Sequence, residues 1–465
     1  MMKKIKEIPH LSERAENKMG TMPVKKLIIM MSLPMMISML VQALYNVVDS
    51  IFVSQIDEGA LTAVTLAFPM QTLMISIGSG TGVGINALLS RSLGEKRFDR
   101  SDAAANNGIL LTFLSFIAFL FIGLFGARPF IMTQTSDPLI AEYGSTYLGI
   151  VSCLSFGIFF QMTFERLLQS TGRSFYSMIS QATGAIINII FDPILIFGLL
   201  GFPKMGVAGA AYATVLGQVV ASILGLIMNL KFNSDISISL KKILHPEASV
   251  IKEIYMVGVP SILMMSIGSV MTYMMNRILT IFSSTATAVF GAYFKLQSFF
   301  FMPVFGLNNG VIPVLAYNYG ARKKDRIHET LKFSIALAVS IMLVGTIIFE
   351  TIPDKLLGFF NASPEMLAIG IPALRIMGII FPFAGASISM GSIFQAFSES
   401  IYSLIISVAR QLVVLIPAAW LLSLTGIVSN VWWAFPIAES VSFTLSLFFF
   451  RRLLGKVGSQ LEQDL

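Results

Sequence analysis

Gly94-Glu-Lys-Arg-Phe-Asp-Arg100 and Gly320-Ala-Arg-Lys-Lys-Asp-Arg326 are one loop written twice, 226 residues apart, with glycine, two basic positions and Asp-Arg recurring without a gap. At the same offset Pro34 matches Pro260, Gln71 matches Gln297, Gly84 matches Gly310, and Gln169, Tyr176 and Ser177 match Gln395, Tyr402 and Ser403. Ala213 and Gln218 match Ala434 and Glu439 at a shifted offset of 221. A long-period repeat of this kind marks two structurally equivalent halves.

Between these markers the chain is apolar. Of its 465 residues 55% are hydrophobic and 12% charged, with a mean hydropathy of +0.79. That is about half the charge of a soluble globular protein. Stretches of 20 or more apolar residues recur along the length, each long enough to cross a hydrocarbon core of about 30 Å as a helix. An all-α membrane protein of twelve transmembrane helices follows, with spans near 26–54, 60–92, 105–127, 143–168, 174–201, 205–230, 253–283, 286–319, 331–352, 366–397, 400–424 and 430–452. A sizeable soluble catalytic domain has no room.

Six spans per half is an even number, so the two six-helix bundles share one orientation. They are related by a pseudo-two-fold axis along the membrane normal, with a central cavity between them near the midplane. The expected division is a tail over 1–25, an N-lobe over 26–230, a linker over 231–252, a C-lobe over 253–452 and a tail over 453–465. Of 32 Lys and Arg, 25 fall with the loops on the side of both termini, three (Arg128, Lys204, Lys355) on the other side, and four (Arg277, Lys295, Arg375, Arg410) inside spans. The positive-inside rule makes the rich side, with both termini, cytoplasmic. The basic N-terminus is too polar for a signal peptide. Because the net charge of +7 clusters at helix ends, it speaks for the lipid bilayer and against nucleic acid as partner.

An ionisable residue deep in a span costs about 2.5–3.5 kcal/mol on insertion scales, which makes each one a functional candidate. The N-lobe has Asp49, Glu165 and Asp192. Asn188 and Asp192, four apart, project from one helix face. Pro193 follows at once, and its ring displaces the Ile189 carbonyl beside them. A carboxamide, a carboxylate and a freed carbonyl suit a proton or Na⁺; burial favours the neutral carboxyl and so lets such a group take up a proton near neutral pH. The competing reading is a hydrogen bond that only packs helices, and for Glu165, beside Arg166 near a span end, it weighs more. In the C-lobe the position matching Asp49 is Met275, beside Asn276 and Arg277, so coupling is expected in the N-lobe. Glu439 is a further candidate charge, while Lys295 and Arg410 are expected to pair with an acid or to reach an interface. Pro34 and Pro260, equivalent in the first helix of each half, are candidate bending points. Polar candidates for the substrate cavity are Gln42, Tyr45, Asn46, Gln71, Gln161, Asn276, Lys295 and Gln297. With 27 Met and 38 Phe, flexible and aromatic surfaces favour lipophilic cations over sugars.

Other signals point nowhere. Gly78, Gly80, Gly82 and Gly84 lack the Gly-Lys-Ser/Thr of a phosphate loop and suit close helix packing. No Walker A sequence exists, so ATP is not an expected partner. His10, His245 and His328 lie outside the spans, which removes histidine-based metal or acyl-transfer chemistry, and the lone Cys153 reads as a small core residue. A transporter rather than an enzyme is expected, with no cofactor.

On Pro34, Gln42, the Tyr45-Asn46 pair, Asp49, Asn188 and Asp192, the run Gly206-Val-Ala-Gly-Ala-Ala-Tyr-Ala-Thr214 and the duplicated loop, the chain resembles the multidrug and toxic compound extrusion (MATE) family over nearly its whole length, nearest its DinF-like, MepA-like bacterial branch. The resemblance implies two bundles in a V and a multi-pass protein of the bacterial inner membrane. It implies cation binding by Asp49, Asn188, Asp192 and Thr214, and multidrug efflux of amphipathic, mostly cationic molecules by antiport with H⁺ or Na⁺. The chain is expected to be monomeric. Glu165 departs from archaeal relatives, which have a neutral amide there. The acidic C-lobe residues of the NorM-type branch are absent, which argues against a Na⁺ site in that lobe. The rival within the superfamily is a lipid-linked precursor flippase, whose cavity would need cations such as Arg277, Lys295, Arg375 and Arg410 for pyrophosphate.

Overall fold

The computed structural model describes residues 16–56, 58–360 and 362–462, and the rest of the two expected tails lies outside them. Ten helices are each long and apolar enough to span a membrane, and two bent pairs bring the number to twelve. The N-lobe comprises α1 (Val24–Ser54), α2 (Glu58–Gly94), α3 (Phe98–Met132), α4 (Pro138–Cys153 and Phe156–Ser170), α5 (Ser174–Phe197) and α6 (Val207–Phe232). The C-lobe comprises α7 (Ala248–Thr280), α8 (Ser284–Gly320), α9 (Lys324–Thr351), α10 (Pro364–Gly378 and Phe381–Ala396), α11 (Ser400–Ser423) and α12 (Ala434–Glu462). Helices satisfy their own backbone groups, which lipid would leave unpaired.

Several spans differ from the sequence expectation. Helix α3 starts at Phe98 and carries a π turn at Ile122–Gly126, where a Cβ on Gly123 would meet Cys153 Sγ at 2.7 Å. Helices α4 and α10, expected as single spans, are bent by 45° and 50° at their breaks. Both open on an N-cap followed by proline, Asp137-Pro138 and Ser363-Pro364, and these two starts are themselves 226 residues apart. Helix α12 continues to Glu462, so most of the expected terminal tail is helical.

The internal repeat survives as backbone geometry. Lys96, Gly172, Arg322 and Ser398 all have positive φ, between 56° and 85°, and form two pairs at the 226-residue offset. At each turn the next residue's N–H reaches back five residues: Arg97 to Ser92, Arg173 to Leu168, Lys323 to Asn318 and Glu399 to Phe394. That bond closes the preceding helix in the Schellman manner. Three of the four positions are not glycine and carry about 1–3 kcal/mol of strain each, which the capping bonds offset.

The lobes touch in the half of α1, α2, α7 and α8 nearest the termini. A Cβ on Gly80 would meet Ile262 Cγ1 at 2.4 Å and one on Gly306 would meet Met36 Cα at 2.5 Å, the same contact seen from each lobe. Gly84 lies against the Ile254 carbonyl and Gly310 against Ser32, whose hydroxyl donates to Leu307 O at 3.1 Å. The glycine run therefore packs helices as its composition suggested, with Gly80 and Gly84 toward the C-lobe and Gly78 and Gly82 toward Met162 and Arg166 of α4. Toward the opposite side Leu44, Val47 and Ile51 of α1 and Phe299 of α8 are exposed. Helices α1 and α7 pass through Pro34 and Pro260 without a break, close to where the lobes meet.

The two cores differ. One continuous apolar cluster fills the C-lobe, built on Phe290, Tyr293, Phe349, Phe381, Phe394 and Trp432. The N-lobe instead has separate clusters, one near the termini around Leu89, Ile109 and Leu167, and another at the far side around Val53, Tyr147, Ile196 and Val215.

Candidate functional site

Asp49 lies five residues before the end of α1 and Asp192 five before the end of α5, so both sit about 8 Å inside the helix ends on the side away from the termini. Asp192 is fully buried. The two carboxyl groups lie close enough to interact directly. Among the described residues neither has an ion-pair partner, and Asp49 Oδ1 is buried without a hydrogen bond. Two unit charges 4 Å apart repel by about 4 kcal/mol at an effective dielectric of 20. A proton shared between the carboxyls, or a monovalent cation between them, removes that cost.

Tight packing of α5 on α6 positions the third and fourth members. A Cβ on Gly217 would lie 2.5 Å from the Gly184 carbonyl, so the two backbones run in contact beside Asn188. With its amide turned so that oxygen meets donors, Asn188 donates to Asp192 Oδ2 at 3.3 Å and accepts from Thr214 N at 3.2 Å and Thr214 Oγ1 at 3.3 Å. Tyr45 and Tyr147 stand within electrostatic range of both carboxylates, and Tyr147 OH accepts from Gln71 Nε2 at 3.1 Å. Gln42 accepts from Gln181 Nε2 at 3.1 Å, tying α1 to α5. Asn46 is exposed. The structure thus gathers Asp49, Asn188, Asp192 and Thr214, with Tyr45 and Gln71 beside them. Tyr147 is the residue that sequence reading missed; a tyrosine in an apolar span beside small residues gave no charge or spacing to mark it.

Other candidates lie apart. Glu165 is buried and accepts from Gln161 Nε2 at 3.0 Å. Its neighbour Arg166, also buried, directs its donors elsewhere: Nη1 to Gln169 Oε1 at 3.0 Å and to Asn309 Oδ1 of α8 at 2.9 Å, and Nη2 to Ser79 Oγ at 3.4 Å. In the C-lobe, Glu439 is 8% exposed and pairs with Arg410 Nη1 at 2.6 Å. Arg410 is the second residue of the π segment Ala409–Leu415 of α11 and reaches Glu439 of α12. Glu439 is therefore a neutralised partner of Arg410. Lys295, Arg277 and Arg375 are exposed, and Asn276 and Gln297 half-buried. No group of three or more His, Cys, Asp or Glu fit for a metal occurs among the described residues.

Twelve spans in two lobes related by an internal repeat, with an acid pair inside one of them, define a polytopic membrane protein of the two-lobed transporter class. The chain belongs to the MatE family, whose model matches residues 34–194 and again 260–421, one match in each lobe. It is 28% identical to the multidrug export protein MepA of Staphylococcus aureus (strain MRSA252), over 90% of this chain and 92% of that protein. To MepA of Staphylococcus haemolyticus (strain JCSC1435) it is 27% identical, over 90% and 91%. Among solved structures, a MATE transporter in complex with MaL6 superposes with a TM-score of 0.89 at 25% identity, over 96% of this chain and 100% of that one. An outward-facing multidrug resistance MATE transporter of the MOP superfamily superposes at 0.90, with 24% identity over 96% and 99%.

Proposed function

We propose that this protein is a multidrug efflux transporter that exports amphipathic, mostly cationic molecules by antiport with H⁺ or Na⁺. The single observation that carries the reading is the facing of Asp49 and Asp192 with no cationic side chain paired to either among the described residues. Occupancy of that site by a proton or Na⁺ changes the charge of the N-lobe, and an ion drives a cycle only by favouring one conformation over another. The likeness to the MepA multidrug export proteins supports the same reading. The excess of Lys and Arg at the terminal side supports cytoplasmic termini, and the likeness to the MepA proteins of Staphylococcus supports a bacterial cell-membrane location. Asp49, Asn188, Asp192 and Thr214 hold the coupling ion, and the protein works as a monomer.

The test is export of ethidium from proteoliposomes under an imposed pH gradient and, separately, an imposed Na⁺ gradient. Export that follows neither gradient overturns the antiport. A lipid-linked precursor flippase is the weaker reading, because Arg410, one of the four intraspan cations it would use, is already neutralised by Glu439.

A further inference from the structure

The duplicated Asp-Arg loops, absent from the ion site, meet where the lobes close. Arg100, at the start of α3 in the N-lobe, pairs with Glu253 in the first turns of α7 in the C-lobe. Its counterpart 226 residues on, Arg326 at the start of α9 in the C-lobe, donates through Nη2 to the carbonyls of Met19 at 2.9 Å and Met22 at 2.8 Å, the stretch that leads into α1 of the N-lobe. Arg326 Nε is held by Asn318 Oδ1 at 2.9 Å, and Asn318 Nδ2 donates to the same Met19 carbonyl at 3.0 Å. Each lobe's arginine thus grips the root of the other lobe's first helix. The stretch gripped by Arg326 is fixed to the N-lobe in turn, Asn17 Nδ2 donating to Thr171 O at 3.0 Å and to Asp235 Oδ2 at 3.1 Å.

We propose that Arg100 and Arg326 form a reciprocal clasp that holds the terminal side shut, and that its release is an obligatory step in opening that side. The inference rests on the alternating-access reading of the function. A guanidinium suits the task because its fixed fork can hold two acceptors at once, which a lysine ammonium does not reproduce. Both clasps lie at the first turn of the helix after a Schellman turn, so each arginine is carried by a rigid corner. These are positioning residues, remote from the carboxylates of the N-lobe.

The test places spin labels on cysteines at the exposed positions 96 and 324, one in each duplicated loop, in a Cys153→Ala background, and reads their distance distribution in lipid nanodiscs. Arg100→Ala/Arg326→Ala is expected to raise the long-distance population at least fivefold over the parent, and Arg326→Lys to give an intermediate rise. The charge exchange Arg100→Glu/Glu253→Arg is expected to bring the short distance back relative to Arg100→Glu alone, which a general loss of folding would not do. A double-alanine variant with the parent's distribution overturns the clasp, whatever its export activity. A long-distance population in the variant, with none in the parent at any pH or ethidium concentration, sustains the clasp and removes alternating access instead.

Discussion

Gly94 faces the carbonyl of Tyr317 so closely that a Cβ built on it would lie 1.9 Å from the oxygen, and Gly320 stands in the same relation to Arg91 at 2.2 Å. No side chain fits at either position while the terminal side is closed. Gly94→Val is therefore expected to cut ethidium export by more than tenfold and to lengthen the distance between the duplicated loops. Gly149→Ala, at a glycine with open space around it, is the neutral control. Equal export by the two variants would contradict the close crossing.

Replacing Asp192 by Asn removes one of the two facing charges while keeping a carbonyl oxygen that Asn188 can still meet. Gradient-driven ethidium export should fall to the background of empty liposomes, with insertion and monodispersity retained. Asp49→Asn should match it, and the double variant should be no worse than either single one, since one site is lost once. Full activity in Asp192→Asn sinks the coupling assignment.

Asn188→Ala and Thr214→Val leave the carboxylates in place and remove their supports. A hydrogen bond to a charged group contributes about 1.5–3 kcal/mol. Na⁺ affinity, read from the Na⁺ concentration at half-maximal export, should weaken roughly 10- to 100-fold while the maximal rate at saturating Na⁺ persists.

Arg410, half-buried, and Glu439, buried, form an ion pair in the C-lobe. Removing one partner of such a pair costs about 3 kcal/mol, whereas replacing both by apolar side chains is near neutral. Glu439→Gln should lower the melting temperature in detergent by several degrees, and Arg410→Met/Glu439→Leu should recover most of it. A pair that bound the transported cation would instead lose export in the recovered variant.

Glu16 sits outside the spans, where the hydrogen bond from Lys323 holds its carboxyl below the ordinary 4.5. A depressed folded-state value means that its contribution is complete above pH 4.5 and disappears as pH falls through the lower folded value. The protection of the Gly20 amide against hydrogen exchange, relative to the intrinsic rate at each pH, should fall on acidification through that window and show no such step in Glu16→Gln; Lys323 also holds the Gly20 carbonyl.

The twofold architecture was legible because the repeat is written in residues that the turns require. Gly94 and Gly320 are duplicated because backbones cross there, and Asp-Arg because each lobe makes the same kind of grip. The breaks in α4 and α10 were not legible from hydropathy, since the apolar run continues across Leu154 and across Ile379; their starts lie at Asp137-Pro138 and Ser363-Pro364, cap-and-proline signals that the expected limits of 143 and 366 passed over. Asn188 and Asp192 could be paired by helical spacing, but the meeting of Asp49 with Asp192 depends on how α1 packs against α5, and no local pattern encodes that. Arg410 was open between an interface and an acid for the same reason. Its partner lies 29 residues away, on the next helix.

The contrast between the unbroken aromatic core of one lobe and the divided core of the other has a mechanical meaning. A half whose rings interlock from end to end resists shear and turns as a block. The half whose apolar contacts fall into separate clusters can flex between them, like a bellows against a frame. Heating should soften the molecule there first, so tolerance of warm or cold habitats would be set by the residues around Asn188 and Thr214 more than by the far larger mass of phenylalanine opposite.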